Sequence, residues 1–246
     1  MFRFLLLLFV LVPTTAYCGL RILWAVYRNT PEAASCTCHE CPRAWARRLL
    51  RWAASDVVFE NEQVIDPDRP QILVANHSSW FDILALTAHM PGRTLFVAKQ
   101  ELAKIPVFGR AARACGHIFI DRYDRNRAVD SLAAARKILE EDSPTVIMFP
   151  EGTRSATGEL MRFKKGAFVL AIQTGVDVVP VAISGSREIL RKGSLMVHPG
   201  TIRVRFGEPI SVEGLDLDHR NELTDRAHAA LVALGVPDGL TDSNQQ

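Results

Sequence analysis

A chain of 246 residues, 48% hydrophobic and 23% charged, can bury one substantial core with a short appendage, so a single catalytic-size domain is expected. A formal net charge of +2, with no long Lys/Arg run, is too mild for a nucleic-acid binder and excludes that partner class. The five cysteines, Cys18, Cys36, Cys38, Cys41 and Cys115, are odd in number and three of them are crowded together, which is no secreted disulfide framework and points to a reducing compartment.

The chain opens with a nearly uncharged apolar run from Phe4 to Leu20, preceded by Arg3. It is slightly shorter than the roughly 20 residues a spanning helix needs, so it either crosses a bilayer or dips into one. The basic start, apolar centre and small residues near Thr14 and Ala16 would also suit a cleaved signal peptide. Apolar character resumes after Arg21 with Ile22 through Tyr27, which reads as an anchor continuing into the interface. Arg21, Arg28, Arg43, Arg47, Arg48 and Arg51 all follow the run, and by the positive-inside bias they put the rest of the chain on the cytoplasmic side.

Between Pro42 and Phe59, Trp45, Leu49 and Trp52 recur at helical spacing with arginines on the other faces. This suits an interfacial helix on anionic lipid or a core-facing helix with solvated arginines, and the adjacent anchor favours the first. The preceding run Cys36-Thr37-Cys38-His39-Glu40-Cys41 is too tightly spaced to close a tetrahedral metal site, so no metal is expected there. A plain loop or palmitoylated cysteines are the remaining readings. Cys115 reads as a packed core thiol. Residues 1–59 thus form an anchor with an interfacial helix, 60–236 the catalytic domain, and 237–246 a flexible polar tail.

From residue 71, β-rich apolar runs alternate with helical patterns. Strands are predicted over Ile72–Ala75, Leu95–Ala98, His117–Ile120, Thr145–Phe149, Val178–Ile183 and Ile202–Phe206. Helices are predicted over Ser79–His89, Val107–Ala114, Asn126–Glu141, Lys164–Gln173 and Asn221–Leu234. The alternation predicts an α/β fold, an αβα sandwich on a mixed, largely parallel sheet. Pro180 cannot donate to a ladder, so its strand is expected at an edge or to start late.

Three turns carry chemistry. In Asn76-His77-Ser78-Ser79-Trp80-Phe81-Asp82 a buried strand ends and a helix begins, where α/β sheets place their sites. On one straight helix His77 and Asp82 would diverge by about 140°, so they meet only if His77 folds back from the turn. The carboxylate would then fix the imidazole tautomer and leave the other ring nitrogen able to take a proton from an alcohol. The alternative is a satisfied turn histidine beside an acid that favours the helix dipole. Phe149-Pro150-Glu151-Gly152-Thr153-Arg154-Ser155 also follows a strand; Gly152 permits a strained backbone and Arg154 offers a planar fork for phosphate, unless the loop is a plain turn with an ion pair. Gly116-His117-Ile118-Phe119-Ile120-Asp121-Arg122 brings Arg122 to a strand end, where a solvated Asp-Arg pair is the bland reading.

With these three blocks and Val179-Pro180-Val181-Ala182-Ile183 in order, the chain resembles the 1-acylglycerol-3-phosphate acyltransferase family over roughly residues 43 to 215. The resemblance implies an αβα fold with an N-terminal membrane-associated helical segment, and acyl-CoA or acyl carrier protein as donor, with no cofactor. It makes His77 the general base and Asp82 its orienter. Arg122, Glu151 and Arg154, with Gly152 and Thr153 of the same turn, belong to the acceptor site, and Lys104 in Ala98–Pro106 lies near the phosphate. It implies acyl transfer to the sn-2 hydroxyl of 1-acylglycerol 3-phosphate (lysophosphatidate), giving phosphatidate, at the inner membrane of a bacterium with the catalytic domain facing the cytoplasm. Glycerol 3-phosphate or another lysophospholipid as acceptor, and a silent lipid-binding module, are the alternatives. No Gly-x-Ser-x-Gly elbow, Walker loop or dinucleotide fingerprint supports hydrolase, kinase or redox chemistry.

Overall fold

The computed structural model describes residues 2–28, 31–121, 135–139 and 144–240. Two helices lead in, α1 (Phe2–Tyr27) and α2 (Pro31–Trp52). Within α1, Phe9–Tyr27 is a 19-residue stretch long and apolar enough to cross a bilayer. Phe9, Val12, Leu20 and Trp24 are exposed, whereas Ile22 is buried against the body.

The helix expected to run to Phe59 stops at Trp52. Ala54 adopts a left-handed conformation (φ 52°) that breaks it, and the β-branched pair Val57-Val58 joins a strand, β1 (Ser55–Glu60). The sheet therefore begins before the expected boundary at residue 59. The apolar stripe of α2 faces the protein: Ala46, Leu49 and Leu50 are buried in the same cluster as Phe81, Leu84 and Ala85 of α3 (Trp80–His89). Two of its arginines serve that packing. Arg43 donates to the carbonyls of Met90 and Gly92, and Arg47 Nε to that of Ala88 at 3.0 Å. Both meet the last carbonyls of α3, where a helix end favours cations. Arg48, Arg51 and Trp52 stay exposed, so the core-facing reading describes most of α2.

The cysteines also depart from expectation. Cys38 of α2 and Cys115 form a disulfide with Cα atoms 5.3 Å apart, tying α2 to the end of α4 (Phe108–Ala114). Cys115 is thus no packed free thiol; a pairing across 77 positions leaves no local signal in sequence. Cys36 is exposed and Cys41 buried, because residues five apart on a helix point about 140° apart.

The remaining elements follow the predicted alternation: β2 (Gln71–Ala75), β3 (Thr94–Lys99), a 3-10 turn at Gln100–Lys104, β4 (Ile118–Ile120), α5 (described over 135–139), β5 (Thr145–Met148), α6 (Gly166–Thr174), β6 (Val178–Ser184), α7 (Ser186–Ile189), β7 (Gly200–Phe206) and α8 (Arg220–Ala233). Among the described residues the strands form one seven-stranded sheet in the order β1-β7-β6-β2-β5-β3-β4. Pairing is parallel except between β6 and β7. One face packs against Phe163, Phe168 and Leu170 of α6 and its approach, and Leu223 and Leu231 of α8; the other packs the α2–α3 layer. This is the αβα sandwich.

Pro180 lies in the sheet interior, not at an edge. It stands opposite Val74 of β2, one position before the β7 ladder opens at Val181 and Phe206. Its carbonyl accepts from Gly207 N–H at 2.8 Å, and the N–H it lacks falls where the ladder ends.

The disulfide generates a test. Reduction, or Cys115→Ser, is expected to lower stability by about 2–4 kcal/mol, given the long loop it closes. Thermal unfolding in detergent with and without reductant reads this: the parent midpoint should fall on reduction and that of Cys115→Ser should not respond.

Candidate active site

The adjacent parallel strands β2 and β5 deliver the two principal turns. Val74 pairs with Met148, and His77 and Glu151 lie equally far beyond that rung, so they emerge as neighbours. The His77 N–H donates to Glu151 Oε1 at 2.6 Å, and Ser155 N–H donates to the His77 carbonyl at 2.7 Å. Asn76 adds a side-chain rung: its Nδ2 donates to Ile183 O at 2.9 Å while its Oδ1 accepts from Ile183 N–H at 2.7 Å, binding the end of β2 to β6.

Ser79 caps α3 in an extended conformation (φ −144°, ψ 159°), its hydroxyl accepting from Phe81 N–H at 3.2 Å. That turn folds His77 back. Its Nδ1 lies 2.8 Å from Asp82 Oδ2, which also accepts from the amides of Ser78 (2.8 Å) and Ser79 (2.9 Å). Three donors converge on one oxygen, so Nδ1 carries the proton and Nε2 is left as the acceptor. Asp82 is fully buried, and its Oδ1 has no hydrogen-bond partner among the described residues. The His77 ring stacks on Phe149 at 4.2 Å between centroids, and its side chain keeps 12% exposure.

Glu151 is buried, and both its oxygens meet backbone: Oε1 takes His77 N–H and Oε2 takes Met161 N–H at 3.1 Å. Its carboxylate therefore supports the His77 turn from beneath. Burial pushes the carboxyl pKa up to about 7, aided by the nearby Asp82 charge and opposed by the two amide bonds.

Arg154 is half-buried, its Cζ 4.9 Å from the centre of the Trp80 ring. Burial holds its guanidinium below the ordinary value, partly offset by Asp82. Gly152 has a positive φ of 74°, which a side chain would strain; a Cβ there would meet only the flexible end of Lys164, which can move aside. Thr153 is exposed. Lys192 Nζ donates to Arg154 O at 2.7 Å and reaches Thr153 Oγ1 at 3.5 Å. Lys104 is exposed at the end of the 3-10 turn after β3, on the same carboxyl edge of the sheet. Arg122 lies outside the described residues. In its block, His117 Nδ1 accepts from Phe96 N–H at 3.1 Å; burial and Arg93 push the His117 pKa down to about 4, making it a neutral strut between β3 and β4.

Sequence reasoning gave no role to Phe149 or Trp80, although both lie inside the motif turns. Lys192 and Ser186, whose Oγ is 3.2 Å from Ser78 Oγ, left no signal because they arrive from a distant segment. Among the described residues no group of three or more His, Cys, Asp or Glu is placed to hold a metal ion. A cavity of about 410 Å³ between α8 and the segment preceding α6, lined by Arg162, Lys165 and His228, shares no residue with the His77 turn.

The family model described as acyltransferase matches residues 56–184. A 1-acyl-sn-glycerol-3-phosphate acyltransferase from Cocos nucifera is 32% identical over 185 residues, 75% of this chain and 60% of that protein. The alpha 1-acyl-sn-glycerol-3-phosphate acyltransferase from Homo sapiens is 34% identical over 168 residues, 68% of this chain and 59% of that one. The chain thus spans about 60% of the length of these curated relatives. The crystal structure of the 1-acyl-sn-glycerophosphate (LPA) acyltransferase PlsC from Thermotoga maritima matches with a TM-score of 0.79 at 30% identity, covering 95% of both chains.

The Glu151 environment sets a pH dependence. Its folded pKa of about 7 exceeds the ordinary 4.5, so its contribution is fully present below pH 4.5 and is lost as pH rises through 7. Between those limits the parent should lose at most about 3 kcal/mol relative to Glu151→Gln. Denaturant midpoints of both proteins from pH 5 to pH 8 measure it; a parent that gains on the variant as pH rises would mean the two amide bonds outweigh burial.

Proposed function

Because the chain belongs to the acyltransferase family, we propose that it moves a fatty acyl group from acyl-CoA or acyl carrier protein to the sn-2 hydroxyl of 1-acylglycerol 3-phosphate, forming phosphatidate. The observation that carries the reading is the 2.8 Å contact of His77 with Asp82, beside the turn that holds Arg154. With Nδ1–H directed at Asp82, His77 Nε2 takes the proton of the acceptor hydroxyl. The oxygen attacks the thioester carbonyl, the new C–O bond forms as the C–S bond breaks, and the thiolate leaves, recovering a proton from the imidazolium or solvent. No acyl-enzyme is needed. Arg154 and Lys104, with Arg122 as the family resemblance implies, would hold the acceptor phosphate and so fix its hydroxyl against the base. Glu151 and Gly152 act behind them by setting the turn.

A site for a lipid substrate suits a membrane enzyme, and the apolar stretch of α1 supports that placement. The arginines after the run support a sheet on the cytoplasmic side of a bacterial inner membrane, whereas the Cys38–Cys115 disulfide suits a more oxidising compartment than that side offers. The same base would serve glycerol 3-phosphate or another lysophospholipid, because phosphate-binding arginines do not identify the lipid.

The test uses purified protein in detergent, labelled oleoyl-CoA and a panel of lysolipids. Labelled phosphatidate is expected from the parent, and His77→Ala should lower kcat by about 10²–10⁴-fold. Arg154→Lys, which keeps the charge but loses the fork, should chiefly raise KM for the acceptor. Product only with other acceptors would replace the lysophosphatidate reading, and lipid binding without turnover by the parent would refute catalysis.

A further inference from the structure

The segment after β6 returns to the site and then leaves it with an apolar tip. Gly185 makes the return possible: φ is +82°, and a Cβ there would lie 2.0 Å from Thr201 O. From that corner the chain is bonded repeatedly to the two principal turns. Ser186 Oγ meets Ser78 Oγ at 3.2 Å, and Leu190 O accepts from Ser79 Oγ at 2.8 Å. Arg187 donates twice to Ala156 O (3.0 and 2.9 Å), and Lys192 donates to Arg154 O. Residues 186–192 thus strap the cap of α3 to the loop that carries Arg154.

Beyond the strap the loop closes on itself, with His198 N–H donating to Ile189 O at 2.9 Å and Ser194 N–H to Arg191 O at 3.1 Å. Its flanks, Leu190 and Val197, are set in the apolar cluster that also receives Val10 and Leu11 of α1. Between them Leu195 and Met196 project into solvent, 62% and 56% exposed, next to Arg191 and Lys192. A closed loop with a rigid base, two unburied apolar side chains and flanking cations has the chemistry of a bilayer-surface contact, in which apolar groups enter the acyl boundary and cations meet anionic headgroups.

We propose that the Arg191–Val197 loop is a membrane-docking element, distinct from the N-terminal helices, that seats the active-site mouth on an anionic bilayer so that the lipid acceptor enters directly from the membrane. The inference builds on the lipid-acceptor reading above. Its connection to the chemistry is physical: Lys192 at the loop base holds the carbonyl of Arg154, and Leu190 holds the hydroxyl that caps α3.

The test compares the parent with Leu195→Glu/Met196→Glu, both as full chains reconstituted in phosphatidylglycerol-rich vesicles. Two substrates are used: long-chain lysophosphatidate embedded in the bilayer and a short-chain, water-soluble lysophosphatidate. The double variant should lose about tenfold in kcat/KM on the embedded substrate, from the two apolar side chains no longer inserted, and be unchanged on the soluble one. Amide exchange over 191–197 should be several-fold faster in the variant than in the parent. Leu195→Phe/Met196→Leu should restore the parent values. Equal losses on both substrates would mean that the tip holds the substrate chain or the fold, and no loss on either would mean that it touches no bilayer; both overturn the proposal. If neither substrate is turned over, the acyltransferase reading has failed, and exchange alone decides: faster exchange in the variant supports the loop contact, and equal exchange overturns it.

Discussion

Oδ2 of Asp82 accepts from the Ser78 and Ser79 amides and from the His77 ring at once, and the local geometry of the site depends on that convergence. The amides fix where the carboxylate stands relative to the start of α3, and the carboxylate fixes where the imidazole stands relative to the sheet. A residue that completes a capping box thereby also orients the imidazole of His77. Helix capping and the alignment of the His77 ring are one set of bonds, so the turn inherits the rigidity of the helix end without needing a separate scaffold.

A second carboxylate works from the opposite side. Glu151 receives the His77 amide on one oxygen and the Met161 amide on the other, so the histidine is held by its ring from α3 and by its backbone from the β5 turn. The opposing influences on Glu151 show how this support is tuned: burial favours its neutral form and two amide donors favour its ionised form, with burial prevailing. The sheet makes the arrangement possible because β2 and β5 are in register and parallel, which brings residues equally far past their last rung side by side.

Much of this was legible in the sequence because it was local. The strand-turn-helix transition at Asn76–Asp82, the need for His77 to fold back, and the glycine in the Glu151 turn all follow from short-range geometry. What was not legible came from contacts between distant segments. The Cys38–Cys115 bond joins positions 77 apart, and Lys192 reaches Arg154 only because Gly185 turns the chain back toward β2. Pro180 misled because a missing donor usually marks an edge, whereas here the mixed sheet supplies an interior position where a ladder ends. The stripe of α2 misled for a different reason: an apolar face with arginines beside it looks the same whether it meets lipid or a neighbouring helix, and only α3, with carbonyls at its end for Arg43 and Arg47, decides between them.

That last arrangement bears on how the protein can be handled. Arg43 and Arg47 terminate α3, Leu49 and Leu50 fill the layer above the sheet, and Asp82 lies at the other end of the same short helix. Trimming the chain before Ser55 to obtain a water-soluble protein would strip the lining from the helix that orients His77. The membrane-proximal helices are therefore structural members of the catalytic body, and solubility is better sought by changing the outward residues of α1 than by deleting it.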